Sequence, residues 1–96
     1  MSNEPEILYK FYWNCGRAGD VEGLFISTQA KIDAALGREV YFGEILGKHS
    51  EIYGTLDAGD ITVKSDDDNV ISVLRNVFGG KDTLMGYNPL EYISED

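Results

Sequence analysis

Ile7-Leu8-Tyr9-Lys10-Phe11-Tyr12-Trp13 puts Ile7, Tyr9, Phe11 and Trp13 on one alternation and Leu8, Lys10 and Tyr12 on the other. Period-two alternation with aromatic enrichment marks a β-strand that turns one face into a core. Tyr9, Phe11 and Trp13 are the expected core side, which leaves Tyr12 for solvent or a partner. The next segment, Asn14-Cys15-Gly16-Arg17-Ala18-Gly19-Asp20, carries two glycines among polar residues and reads as a loop. Val21 to Ile26 is a second strand, so the chain opens with a hairpin.

Outward from this hairpin the punctuation continues. Ser27 or Thr28 caps a short helix through Leu36, with Ile32, Ala35 and Leu36 as its apolar stripe and Gly37 at its C-terminal end. Glu39 to Ile45 and Glu51 to Asp57 form a second hairpin around Gly47-Lys48-His49-Ser50. Its simplest register sets Gly43 opposite Gly54, with Tyr41, Gly43 and Ile45 across from Leu56, Gly54 and Ile52. Facing glycines would leave a notch in the sheet, open to a close-packed helix or a flat ligand. Ile61 to Lys64 is a short strand after the Asp57-Ala58-Gly59-Asp60 turn.

The strongest helix follows. Ser65 and Asp68 make a capping-box pattern, Gly79-Gly80 end it, and Val70, Ile71, Leu74, Val77 and Phe78 make one apolar face. Thr83 to Tyr87 suits an edge strand, and Asn88-Pro89 a one-turn helix with Leu90 and Ile93. The order β-β-α-β-β-β-α predicts an α+β domain, a mainly antiparallel sheet of about five strands with two helices on one face. One domain over residues 1–96 is expected, with a short flexible segment at 1–6.

Composition narrows the function classes. The chain has 96 residues, 17 Asp plus Glu against 8 Lys plus Arg, and a formal net charge of -9. The excess is uneven: residues 1–48 hold 7 acids and 5 bases, residues 49–96 hold 10 acids and 3 bases. Such a balance disfavours nonspecific binding to nucleic acid or anionic membrane. No apolar run approaches the ~18–20 residues of a membrane span. The acidic start is unlike a secretory signal, and a single cysteine fits a reducing compartment. A cytoplasmic protein is the expectation.

Catalytic and metal motifs fail on spacing. A phosphate-binding loop needs four residues between its glycines and Ser or Thr after its lysine. Three residues separate Gly43 from Gly47, and His49 follows Lys48. Gly16-Arg17-Ala18-Gly19 is too short for a dinucleotide fingerprint. Cys15 with Arg17 suggests a cation-stabilised thiolate, but a phosphatase-type loop would need Arg at the position Val21 holds. Counted from Asp66, the calcium-loop positions for Gly and Glu carry Ile71 and Val77. Asp66, Asp67 and Asp68 therefore read as acids at a helix start, which complement its dipole. No metal and no cofactor are expected.

In size, acidity and lack of a catalytic signature the chain is similar to small accessory proteins of phages and mobile elements, which often bind and block a host factor. That similarity implies a non-enzymatic binding or regulatory protein that engages and inhibits a basic surface on a partner protein. Its candidate partner-binding residues are Tyr12, Asp66, Asp67, Asp68, Glu91 and Tyr92. The alternative is a small-ligand or nucleotide-binding domain, even a weak enzyme, on the hairpin 43–54. Its candidate residues are Gly43, Glu44, Lys48, His49, Tyr53 and Gly54, because imidazole titrates near neutrality and a neighbouring carboxylate can orient it. A free edge strand would also support a homodimer.

Overall fold

A computed structural model describes residues 4–47 and 51–94. The chain is α+β, with two helices and mainly antiparallel strands arranged as a four-stranded sheet and a separate two-stranded one. β1 (Glu6–Asn14) and β2 (Asp20–Thr28) form the expected hairpin, in continuous register from Glu6 opposite Thr28 to Asn14 opposite Asp20. β5 (Ile61–Ser65) joins the outer side of β1, and β6 (Thr83–Gly86) joins β2, giving the order β5-β1-β2-β6. β3 (Glu39–Gly43) and β4 (Ile52–Thr55) pair with each other. Residues 1–3 of the expected N-terminal segment lie outside the described residues, whereas Glu6 already belongs to β1.

The alternation in β1 sorts the core. Tyr9 and Phe11 are buried with Val21 and Phe25, against Ile32 and Ala35 of α1 (Gln29–Ala35) and Val40, Phe42, Ile52 and Leu56 from the second hairpin. Complete burial of each large side chain is worth roughly 1.5–3 kcal/mol against exposure. Thr28 caps α1, its hydroxyl accepting from the Lys31 N–H at 3.3 Å, and Gly37 follows with φ 84°. On the opposite face Leu8 and Ile26 pack with Ile71 of α2 (Asp68–Val77). The two helices therefore cover opposite faces of the main sheet rather than one. Hydrophobic pattern alone cannot assign a helix to a face when β1 and β2 carry apolar residues on both.

Two further details differ from expectation. Asp67, not Ser65, is the N-cap of α2: its carboxylate accepts from the Asn69 N–H at 2.8 Å, while the Ser65 hydroxyl accepts from the Asp67 N–H at 3.2 Å. Along α2 only Ile71 is buried, and Val70 and Val77 stand 39% and 69% exposed, so part of the predicted apolar face meets solvent.

The second hairpin has a different register. Glu39 lies opposite Thr55, Val40 opposite Gly54 and Tyr41 opposite Tyr53, then a bulge sets Gly43 opposite Ile52. The connection is longer than a tight turn, and the shift regroups the residues of the two strands on each face. Val40 and Phe42 point into the core, whereas Tyr41 and Tyr53 stack outside with ring centroids 6.2 Å apart. The expected notch of Gly43 facing Gly54 is absent. Facing glycines occur instead in the main sheet, where Gly23 lies opposite Gly86.

Candidate functional site

The open side of β4 forms the site. β3 is flanked on both sides, by β4 and by the C-terminal segment. The Tyr41 N–H donates to the Tyr92 carbonyl at 3.0 Å, and the Ser94 N–H donates to the Glu39 carbonyl at 2.8 Å. Among the described residues, β4 pairs with β3 alone. A groove of about 440 Å³ is lined by Glu51 to Thr55, by Trp13, Asn14 and Cys15, and by Asp57 and Asp60, with no residue of β3 among them, which puts it on the outer side of β4.

Each wall follows from local sequence. Trp13 ends the inward alternation of β1, where it meets Phe11 and Phe42 edge-on at centroid separations of 5.1 and 5.6 Å. Gly54 makes room for it: a Cβ there would lie 3.3 Å from the Trp13 ring. A short 3₁₀ turn, Ala58–Asp60, holds the two aspartates, with the Asp57 N–H donating to Asp60 Oδ2 at 2.9 Å. Glu51 stands just ahead of β4, and its charge raises the pKa of the Tyr41 hydroxyl, with Glu44 adding to it. The groove thus presents Glu51, Asp57 and Asp60, and no Lys or Arg lines it among the described residues.

Cys15 is a poor nucleophile here. Burial pushes its thiol above the ordinary value and Asp20 pushes it further, which disfavours the thiolate that the neighbouring Arg17 suggests. Among the described residues, no three His, Cys, Asp or Glu side chains gather as a metal site, and no helix is long and apolar enough to cross a membrane.

The residues singled out from sequence scatter. Of the hairpin set, Tyr53 and Gly54 line the groove, Gly43 sits at the bulge with φ 80°, and Glu44 is exposed just beyond β3. Lys48 and His49 lie outside the described residues. Of the partner set, Tyr12 is exposed across from Glu22, and its hydroxyl bonds Asp20, which raises its pKa. Asp66, Asp67 and Asp68 follow β5 at the end where Ser65 lies opposite Leu8, while Asp60 precedes β5 where Ile61 lies opposite Phe11. A five-residue strand separates these two acidic clusters by roughly 16 Å. Glu91 is exposed in a one-turn helix, but Tyr92 is half-buried, its ring 4.7 Å from that of Phe42.

Asp57, Asp60 and Trp13 are parts of the site that no local motif in the sequence joins to the hairpin. The Asp57-Ala58-Gly59-Asp60 turn was a visible signal, but its proximity to the end of β1 is tertiary. A second cavity of about 440 Å³ lies on the α2 side of the sheet, where Lys10 and Lys64 offset Glu22 beside Leu24 and Met85. It lacks the single sign of charge that distinguishes the groove. No family model, no curated protein and no solved structure matches this chain.

Proposed function

We propose that this chain is a small, acidic, non-enzymatic binding or regulatory protein that engages and inhibits a basic surface on a partner protein through the groove beside β4. One observation carries this reading: Glu51, Asp57 and Asp60 line a groove together with Trp13 and Tyr53, with no Lys or Arg among its described lining residues. Carboxylates of one sign along a cleft focus the field on an incoming cation and speed its encounter. Aromatic walls add contact area, and Trp and Tyr are enriched among residues that anchor interfaces.

The test compares two triple variants of equal charge, Glu51→Gln/Asp57→Asn/Asp60→Asn in the groove and Asp66→Asn/Asp67→Asn/Asp68→Asn at α2. Binding of a lysine-containing peptide is measured by calorimetry at low and high salt. Exposed ion pairs contribute roughly 0.2–1 kcal/mol each, so the groove variant should lose roughly tenfold in affinity. The α2 variant should lose much less. Equal losses in both would place the effect in net charge and contradict the groove.

Small-ligand binding on the hairpin is the second reading, supported by Tyr53 and Gly54 at the groove. A thermal-shift screen with organic cations and nucleotides tests it, since a ligand at 100 times its dissociation constant adds ~2.7 kcal/mol.

A further inference from the structure

We infer that the basic partner enters this groove as an extended segment that pairs, main chain to main chain, with the open edge of β4. The inference rests on the proposed acidic binding role and adds the mode of recognition. In an antiparallel pair, successive residues turn their N–H and C=O groups alternately toward and away from the neighbouring strand. The Leu56 N–H donates to the Arg38 carbonyl at 3.0 Å, so Leu56 and, two residues back, Gly54 face β3. Tyr53 and Thr55 consequently direct their main-chain groups away from β3, along the groove.

Charge selects the incoming strand. Glu51 precedes β4 and Asp57 follows it, so the edge has a carboxylate beyond each end. Six residues of extended chain span roughly 20 Å, and the matching segment carries Lys or Arg about six residues apart on one face. β5 is also flanked by carboxylates, Asp60 and Asp66, so the groove and the charge along the edge itself set β4 apart. The outer edge of β5 carries Lys64, which repels a basic strand, and neither β5 nor β6 belongs to the walls of the groove. Strand addition of this kind draws affinity from main-chain hydrogen bonds and specificity from side chains at alternate positions.

The probe is the peptide acetyl-Lys-Thr-Val-Thr-Val-Thr-Lys-amide, titrated against the full chain while the fluorescence of Trp13, the single tryptophan, is followed. Two further peptides carry N-methyl groups on one or the other alternate set of backbone nitrogens, leaving charge unchanged. A saturable change is expected, with affinity reduced at least tenfold by one methylation pattern and hardly altered by the other. Thr55→Pro removes an N–H directed to the groove at an edge position that tolerates proline, and should weaken the peptide by a similar factor with unchanged circular dichroism. If that variant does not fold, the methylated peptides alone decide. Equal binding by both methylated peptides, with salt dependence intact, overturns strand pairing and leaves the charge-based reading standing. Binding that is indifferent to salt and undiminished by the groove triple variant overturns both.

Discussion

Among single residues, two glycine contacts differ in how much freedom they leave the chain to vary. Gly23 and Gly86 face each other, and a Cβ on Gly23 would collide with the Tyr87 carbonyl. The obstacle is backbone, which cannot rotate aside, so Gly23→Ala should cost at least about 1–3 kcal/mol, read from chemical denaturation. Gly54→Ala meets only the edge of the Trp13 ring, and should cost about 1 kcal/mol or less while shifting tryptophan emission. Cys15 offers a pH test. Burial, and then Asp20, hold its thiol in the neutral form above the ordinary pKa. Iodoacetamide should therefore modify the folded protein more slowly than the urea-unfolded chain near neutrality, with a pH midpoint displaced upward. The linked stability is present below the unfolded thiol pKa and is lost as pH rises through the folded one. Faster alkylation of the folded form would show that Arg17 dominates after all.

Among the elements, α2 shows how far pattern reading reaches. Its apolar spacing, its acidic first turn and its terminal glycines are all local, and the helix forms where they say. Which part of its apolar arc meets the sheet is decided by packing: Ile71 sits on Leu8 and Ile26, while Val77 is exposed. Ile71→Ala should lower stability by about 2–5 kcal/mol, whereas Val77→Ala should stay within about 0.5 kcal/mol in urea titrations. Arg75 then fastens the helix to both ends of the sheet's sequence, pairing with Glu6 of β1 and with Asp82 at 2.7 Å. These contacts are partly exposed, so Arg75→Met should cost only about 1 kcal/mol, less in high salt. The hairpin β3–β4 marks the opposite limit. Its strands were legible from alternation, but a bulge at Gly43 and a long connection moved the register. An odd shift regroups the faces, so that Val40 and Phe42 share the core side with Ile52 while Tyr41 and Tyr53 share the solvent side.

For the molecule as a whole, the α+β class followed from strand and helix order, whereas the split into two sheets and the helices on opposite faces did not. Those depend on contacts between segments distant in sequence. The same holds for the site. The densest acidic run in the sequence, Asp66, Asp67 and Asp68, lies at the start of a helix. The acids beside β4 are equal in number but spread along the chain, and are brought to Trp13 only by the fold. The central claim is that this acidic groove, not the acidic helix start, receives a basic partner. Amide chemical-shift mapping with the lysine-containing peptide tests it directly. The account predicts that the largest changes fall on Trp13, Tyr53, Gly54, Thr55 and Asp57 and diminish with salt. Changes centred on Asp66 to Val70, with the groove amides unmoved, would contradict it.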